Sequence, residues 1–319
     1  MSKPSLQRRV VNIVNNMGAW LIILVLFVVM TITRGDKFLS IDNILNVFRQ
    51  VCVVSIAALG VSFVVLGGEI DLSSGMNATF AGCNAALLIT RAGIPMWPAI
   101  FIAVIIGAVI GTVSGLVVTY WKIPSFIGTL GMQYMVQGFI LITTNSMPVT
   151  GLPDAFLYLG RGYIGGIIPV PVIIMLVFYI VGAFVLKYTT FGRSVIAVGE
   201  NAEASILSGL RVNFTKVLMF AIGGFCAACA GIVMTARLSS GQPSSGADMS
   251  LQALAAVYIG GTFKGSMLNT LAGALAWGFV NNSLNLLSVN AYWQKVALGA
   301  IIVVAVLYDS IRAKLSTGK

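Results

Sequence analysis

The chain has no histidine, and only 9 acidic residues are scattered over 319 positions. Without imidazole it lacks the usual general base near neutral pH, the usual proton relay and the commonest metal ligand. Enzymatic readings therefore start weak, and no metal site is expected. Cysteine is equally scarce: Cys52 and Cys83 stand in separate apolar runs, and Cys226 and Cys229 form a lone CxxC inside GGFCAACAGIV. With no second CxxC and no histidine to complete it, that pair reads as helix packing rather than a zinc or redox motif. A GxxxxGK[ST] phosphate loop is also absent, so any use of ATP has to come from a separate subunit.

What the chain does have is apolar length. Hydrophobic residues make up 58% and charged ones 9%, with a mean hydropathy of +0.98, far from soluble-globular composition. This is the composition of an integral membrane protein. The net charge of +10 does not point to nucleic acid, because the basic residues lie between apolar runs instead of forming a stripe with interleaved aromatics. Lys3, Arg8 and Arg9 precede the run from Ala19 to Ile32, and no small-residue cleavage site follows, which makes this an uncleaved first span.

A helix crossing the hydrocarbon needs about 20 residues. Apolar runs between polar or Gly/Pro breaks predict ten spans: Met17 to Thr33, Ile44 to Leu66, Gly75 to Thr90, Pro98 to Tyr120, Phe126 to Thr144, Pro169 to Lys187, Val217 to Ala236, Leu251 to Phe263, Leu268 to Leu287 and Trp293 to Tyr308. The third and eighth are short, the mark of broken helices that line a cavity, since unsatisfied backbone cannot face lipid. The expected fold is an all-α polytopic membrane protein of about ten transmembrane helices, one domain over 1–319 with a cytoplasmic element at 188–216. Glycines 107, 111 and 115, Ala227 and Gly231, and Ala272 and Ala276 fall at helical spacing and predict close helix crossings.

With the amino terminus inside, Lys3, Arg8, Arg9, Lys122, Lys187, Arg193, Arg211, Lys216, Lys264, Arg312, Lys314 and Lys319 fall on the cytoplasmic side. Arg34, Lys37, Arg91, Arg161 and Arg237 fall outside, a ratio of twelve to five that satisfies the positive-inside rule. Both termini are then cytoplasmic, and so is the polar interlude from Tyr188 to Lys216. Within it Asn201 can cap a short helix carrying Glu203 in its first turn, and Gly209 falls where a helix stop prefers glycine. Ile206, Leu207 and Leu210 form a small apolar face flanked by Arg193, Arg211 and Lys216, suited to a groove on a soluble partner or to lying on lipid.

Two other groups of residues are candidates for function. In LGGEIDLSSG, Glu69 and Asp71 stand in a glycine-flanked break between spans, where acids are functional candidates by default. Capping of the helix that starts near Gly75, by Asp71 or Ser73, is the quieter reading, with both acids near the inner end. Asn281, Asn282 and Asn285 in the ninth span, with Gln133 and Gln137 in the fifth, suit a path for a neutral, hydroxyl-rich solute, though each amide alone also suits interhelical bonding. The absence of mid-span charge argues against ion channels and ion-coupled carriers.

The segments LGGEIDLSSG (66–75), IPSFIGTLG (123–131), FGRSVIAVGENAEASILSGLRV (191–212), ARLSSGQPSSG (236–246) and NNSLNLLSV (281–289) together resemble, over nearly the whole chain, the permeases of ABC importers for monosaccharides, the ribose-transporter type. The resemblance implies a multi-pass protein of the bacterial inner (plasma) membrane. It also implies docking of Glu200, Asn201, Glu203 and Gly209 onto an ATP-binding subunit that holds ATP and Mg, the permease itself binding no cofactor. A periplasmic or extracellular sugar-binding protein would deliver substrate, and a second copy or a paralogous permease would complete the pathway. The chain departs from the family pattern G-Y-E-L-D-A-I at Ser250 and Gln252, which stand where acids are usual, in a shorter turn after Thr262, and in the inserted Glu69. An ion-coupled carrier using Glu69 or Asp71, or a membrane scaffold without flux, are the alternative classes.

Overall fold

Apolar segments have one economical solution in hydrocarbon, the helix, because it satisfies its own backbone. The structure, a computed structural model, describes residues 6–262 and 265–317, with side chains described for 19–262, 265–304 and 307. In order it contains α1 (Leu6–Phe38), α2 (Ile41–Leu66), α3 (Ser74–Thr90), α4 (Met96–Tyr120), α5 (Ser125–Thr144) and α6 (Asp154–Arg161). A hairpin of β1 (Tyr163–Ile164) and β2 (Ile168–Pro169) leads to α7 (Val170–Tyr188), α8 (Thr190–Glu200) and α9 (Ala202–Leu207). The chain closes with α10 (Val212–Leu238), α11 (Met249–Gly260), α12 (Met267–Leu286) and α13 (Ala291–Thr317).

Every expected span lies on a helix. Among the described residues six helices are long and apolar enough to cross a membrane: the Ala19–Phe38 part of α1, with α2, α4, α5, α7 and α10. The third and eighth spans become α3, of 17 residues, and α11, of only 12, short as expected. Prolines 95, 124 and 169 stand at the starts of α4, α5 and α7, where their lost amide and fixed φ do no harm. Lys3, Lys264 and Lys319, and the end of the eighth span at Phe263, lie outside the described residues.

Two stretches are more folded than the sequence suggested. The long connection from Asn145 to Ile168 contains α6 and half of the antiparallel hairpin, and it is pinned back by reciprocal backbone bonds between Val149 and Gly241, both 2.9 Å. The polar interlude holds two helices, because Thr189 caps α8 by accepting from Gly192 N at 3.1 Å before Asn201 starts α9.

Helices α2 and α10 form the core. From Val51 to Leu66 nearly every residue of α2 is buried, in keeping with a helix that is apolar all round. Around it α4, α5 and α7 turn Phe101, Phe139, Ile180 and Phe184 outward, as a lipid-facing surface requires. The small residues set the helix spacing. Gly111 of α4 crosses Gly224 of α10, while Ala19 packs with Ala272 and Ala276 to seat α1 on α12. A Cβ on Gly231 would stand 1.8 Å from the Ala78 carbonyl oxygen, so α3 touches α10 backbone to backbone.

Replacing Gly231 with Ala should force these helices apart and cost about 1–3 kcal/mol, the usual range for overpacking. The melting temperature in detergent should fall by several degrees; an unchanged melting temperature would show that the crossing is looser than described.

Candidate functional site

The chain between α2 and α3 does not form a helix, so its backbone groups need partners inside the bundle. Glu69 N donates to the Val64 carbonyl at 3.1 Å, closing the end of α2. Ile70 N donates to Ser125 Oγ and Leu72 N to Thr129 Oγ1, each at 3.1 Å, so the first turns of α5 supply two acceptors. Ser250, at the start of α11, makes two bonds with one hydroxyl: it accepts from Gly75 N at 2.7 Å and donates to the Leu72 carbonyl at 2.6 Å. The amino ends of the short helices α3 and α11 therefore meet at one oxygen atom. Two of the sequence motifs, 66–75 and 123–131, converge here with the segment that holds Ser250.

This arrangement corrects the capping expectation. Ser73 occupies the N-cap position of α3 but makes no side-chain cap bond, because its hydroxyl is turned to Asp71 Oδ1 at 2.6 Å. Asp71 Oδ1 also accepts from Ser73 N at 2.8 Å, an Asx turn, and Ser250 takes the capping role from another helix. Nor do both acids lie at the end of the bundle that carries α9. Asp71 is 1% exposed and faces Gly223, eleven residues into α10, about 16 Å along its axis. Glu69 stays at the edge, ion-paired with Lys216, their side chains 14% and 23% exposed.

Lys216 is thus engaged with Glu69 while lining the same cleft as Ile206 of α9. That helix is six residues long and well terminated. Ala204 N donates to Asn201 Oδ1 at 2.9 Å. At its other end Gly209 has φ +81°, Gly209 N donates to Ile206 O at 2.9 Å and Leu210 N to Ser205 O at 3.0 Å, a Schellman stop that favours glycine. Glu200, Glu203 and Ile206 are exposed, Leu207 is 89% exposed, and Leu210 is half-buried beyond the helix. Helix α8 joins α9 to the break: a Cβ on Gly199 would stand 1.8 Å from the Leu66 carbonyl oxygen, so α8 lies directly on the end of α2. A cleft lined by Glu69, Lys122, Ser125, Ala202, Ile206 and Lys216 shows that the break, the start of α5, α9 and the start of α10 share one end of the bundle.

The amides are not brought together. Gln133 and Gln137 are half-buried on α5, which packs against α3 and α4, whereas the asparagines lie on α12 beside α1, α2 and α11. Asn282 is held in a reciprocal pair with Asn43, donating at 2.8 Å and accepting at 3.3 Å. Asn285 donates to Asn281 Oδ1 and accepts from Gln294, each at 3.0 Å. Asn281 alone reaches a cavity of about 220 Å³, with Gln50, Arg237, Ser245, Gln252 and Trp277. Sequence reasoning passed over Ser125 and Thr129, and noted Ser250 only as a departure from the family pattern without its role as a cap. Ser125 and Thr129, one turn apart at a helix start, were the available signal.

Residues 43–306 match the family described as branched-chain amino acid transport system / permease component. The chain is 40% identical over 300 residues to the ribose import permease protein RbsC of Haemophilus influenzae, covering 92% of each chain. The chain belongs to this permease family. It is also 38% identical to RbsC of Bacillus subtilis, over 93% of this chain and 94% of that one, and 29% identical to the xylose transport system permease protein XylH of Escherichia coli, over 92% and 91%. No solved structure matches it. The permease is accordingly a multi-pass membrane protein and a transport component, not itself an enzyme.

Changing Ser250 to Ala removes an acceptor and a donor at once, leaving a buried amide and a buried carbonyl at about 1–3 kcal/mol each. A clear loss of thermal stability is expected, with Ser250→Thr retaining more of it than Ala. Lys216→Met should cost about 1.5–3 kcal/mol, with little further loss when Glu69→Gln is added, since the two share one interaction. Additive losses in that double-mutant cycle would rule out the ion pair.

Proposed function

We propose that the permease forms the membrane pathway of an ATP-driven importer for a neutral monosaccharide or a similar polyol-like solute. Its names among relatives divide between sugars and, in the family description, branched-chain amino acids. The higher-identity relatives are named for ribose, which supports the sugar. One transmembrane unit over 1–319, with 188–216 as its coupling element, serves this role.

The observation that carries the reading is the seat of α9. A capped, exposed helix with Glu203 in its first turn and Leu207 projecting outward is built to be gripped, and α8 ties it to the end of α2 through Gly199. A push on α9 by an ATP-binding subunit is delivered to the break at 67–75, where α3 and α11 meet. ATP and Mg belong to that subunit, and this chain binds no cofactor. A periplasmic or extracellular sugar-binding protein delivers solute, and a second copy or a paralogue completes the pathway across the lipid bilayer. Nucleic acid has no part in it. Placing α9 in the cytoplasm sets both termini inside the bacterial inner (plasma) membrane. Lys122, Arg193, Arg211 and Lys216 at the α9 end support that orientation.

An ion-coupled carrier would need Glu69 or Asp71 free to bind the coupling ion. Glu69 is paired with Lys216 and Asp71 accepts two bonds from Ser73, which weighs against it.

Replacing Glu203 with Lys should abolish ATP-driven uptake in vesicles while membrane insertion stays normal, and Leu207→Asp should prevent co-purification of the ATP-binding subunit. Normal uptake by Glu203→Lys, with normal subunit association, overturns the docking assignment. Uptake should also persist when an ionophore collapses the ion gradient with ATP present.

A further inference from the structure

The cavity reached by Asn281 has a chemistry of its own. It lies between α2, α10, α11 and α12, with Val51, Met234, Met249 and Trp277 as apolar wall. Into it come side chains whose bonding capacity the protein leaves unused. Among the described residues the guanidinium of Arg237 makes no hydrogen bond or ion pair, and its Nε is buried. The side-chain amides of Gln50 and Gln252 make no hydrogen bond among the described residues, and Asn281, whose Oδ1 is taken by Asn285, keeps its Nδ2 free. Leaving a buried donor without a partner costs about 1–3 kcal/mol, which applies to Arg237 Nε; the half-buried amides of Gln50, Gln252 and Asn281 add uncommitted polar groups to the same cavity, which together describe a site for an acceptor-rich guest.

We propose that this cavity is a solute-binding station within the permease, taking a polyhydroxylated molecule whose oxygens are read by Arg237, Gln50, Gln252 and Asn281. The proposal rests on the import reading and deepens it. Hydroxyls both donate and accept, matching the amides, while a ring oxygen only accepts, matching the guanidinium. The planar fork of Arg237 suits a pair of adjacent oxygens, whether two hydroxyls or a carboxylate. Among the described residues no acid lines the cavity, and the neighbouring Asp248 is paired with Lys295 at 3.4 Å, so none of them there welcomes the ammonium group of an amino acid. The wall at Gln50 is also fixed in place: the preceding Arg49 donates to the Tyr163 hydroxyl and lies over its ring, 4.8 Å from the centroid. That contact is with the hairpin, at the end of the bundle away from α9, the side from which a delivered solute arrives.

Trp277 is buried in the cavity wall and serves as the reporter, since Trp20, Trp97, Trp121 and Trp293 are all exposed and can be changed to Phe. The full-length permease in lipid nanodiscs is titrated with an aldopentose, with the corresponding aldonate and with leucine. A saturable change in Trp277 fluorescence with the pentose or the aldonate is expected. Tighter binding of the aldonate identifies a carboxylate as the group gripped by Arg237, and equal binding identifies hydroxyls. Arg237→Gln and Gln252→Leu should each weaken binding about tenfold or more, the loss of one charge-assisted or buried hydrogen bond. Equilibrium dialysis of labelled pentose with the unaltered protein gives the same answer without the tryptophan changes. Absence of saturable sugar binding by both methods, affinity unchanged in both variants, or binding of leucine alone overturns the proposal. If vesicles holding the Arg237→Gln form with its ATP-binding subunit import pentose at the normal rate, the station is wrong and import stands; if the unaltered assembly imports no pentose, the import reading itself fails.

Discussion

One constraint organises this bundle: the polypeptide between Leu66 and Ser74 is not helical, yet it runs from the bundle's edge at Glu69 into its buried interior at Asp71 to Ser73. The buried amides and carbonyls there would each destabilise the fold if left alone. Hydroxyls from elsewhere in the chain resolve this. Ser125 and Thr129 approach from α5 and Ser250 from α11, while Asp71 folds back on Ser73. The break is therefore a junction where three distant parts of the chain are tied together, and α3 and α11 are short because they begin there.

The glycine and alanine seam through α10 ties other helices together by close backbone approach instead of by hydroxyls. Contact of Gly231 with Ala78, and of Gly224 with Gly107 and Gly111, brings α3 and α4 against α10 at backbone distance. Gly199 repeats the device at the bundle's end, laying α8 on the last carbonyl of α2. Small residues here give up side-chain burial in exchange for proximity. Asn77, buried at this crossing, donates to the Gly107 carbonyl at 2.9 Å and is the polar counterpart of the same packing.

Much of this was readable from the residues in order. Apolar length located ten stretches that lie on helices, six of which are long and apolar enough to cross a membrane among the described residues, and it marked the third and eighth as short. Asn201 and Gly209 announced both ends of α9, since capping is a local matter of a few residues. What escaped was everything that depends on distant parts meeting. The choice of Ser250 over Ser73 as the cap of α3 joins positions 175 residues apart, and no local pattern encodes it. Lys216 was readable as a flank of the docking face, but its ion pair with Glu69, in another part of the chain, was not. Helix α8 was hidden by the polar character of its residues, and the separation of the α5 glutamines from the α12 asparagines is a fact of topology alone.

The pair of hydrogen bonds at the Ser250 hydroxyl has a mechanical meaning. One oxygen holds the Gly75 amide and the Leu72 carbonyl at once, so drawing the first turns of α3 and α11 apart costs two buried hydrogen bonds where a simple packing contact would cost none. The junction is thereby the stiff point about which the two short helices are hinged together.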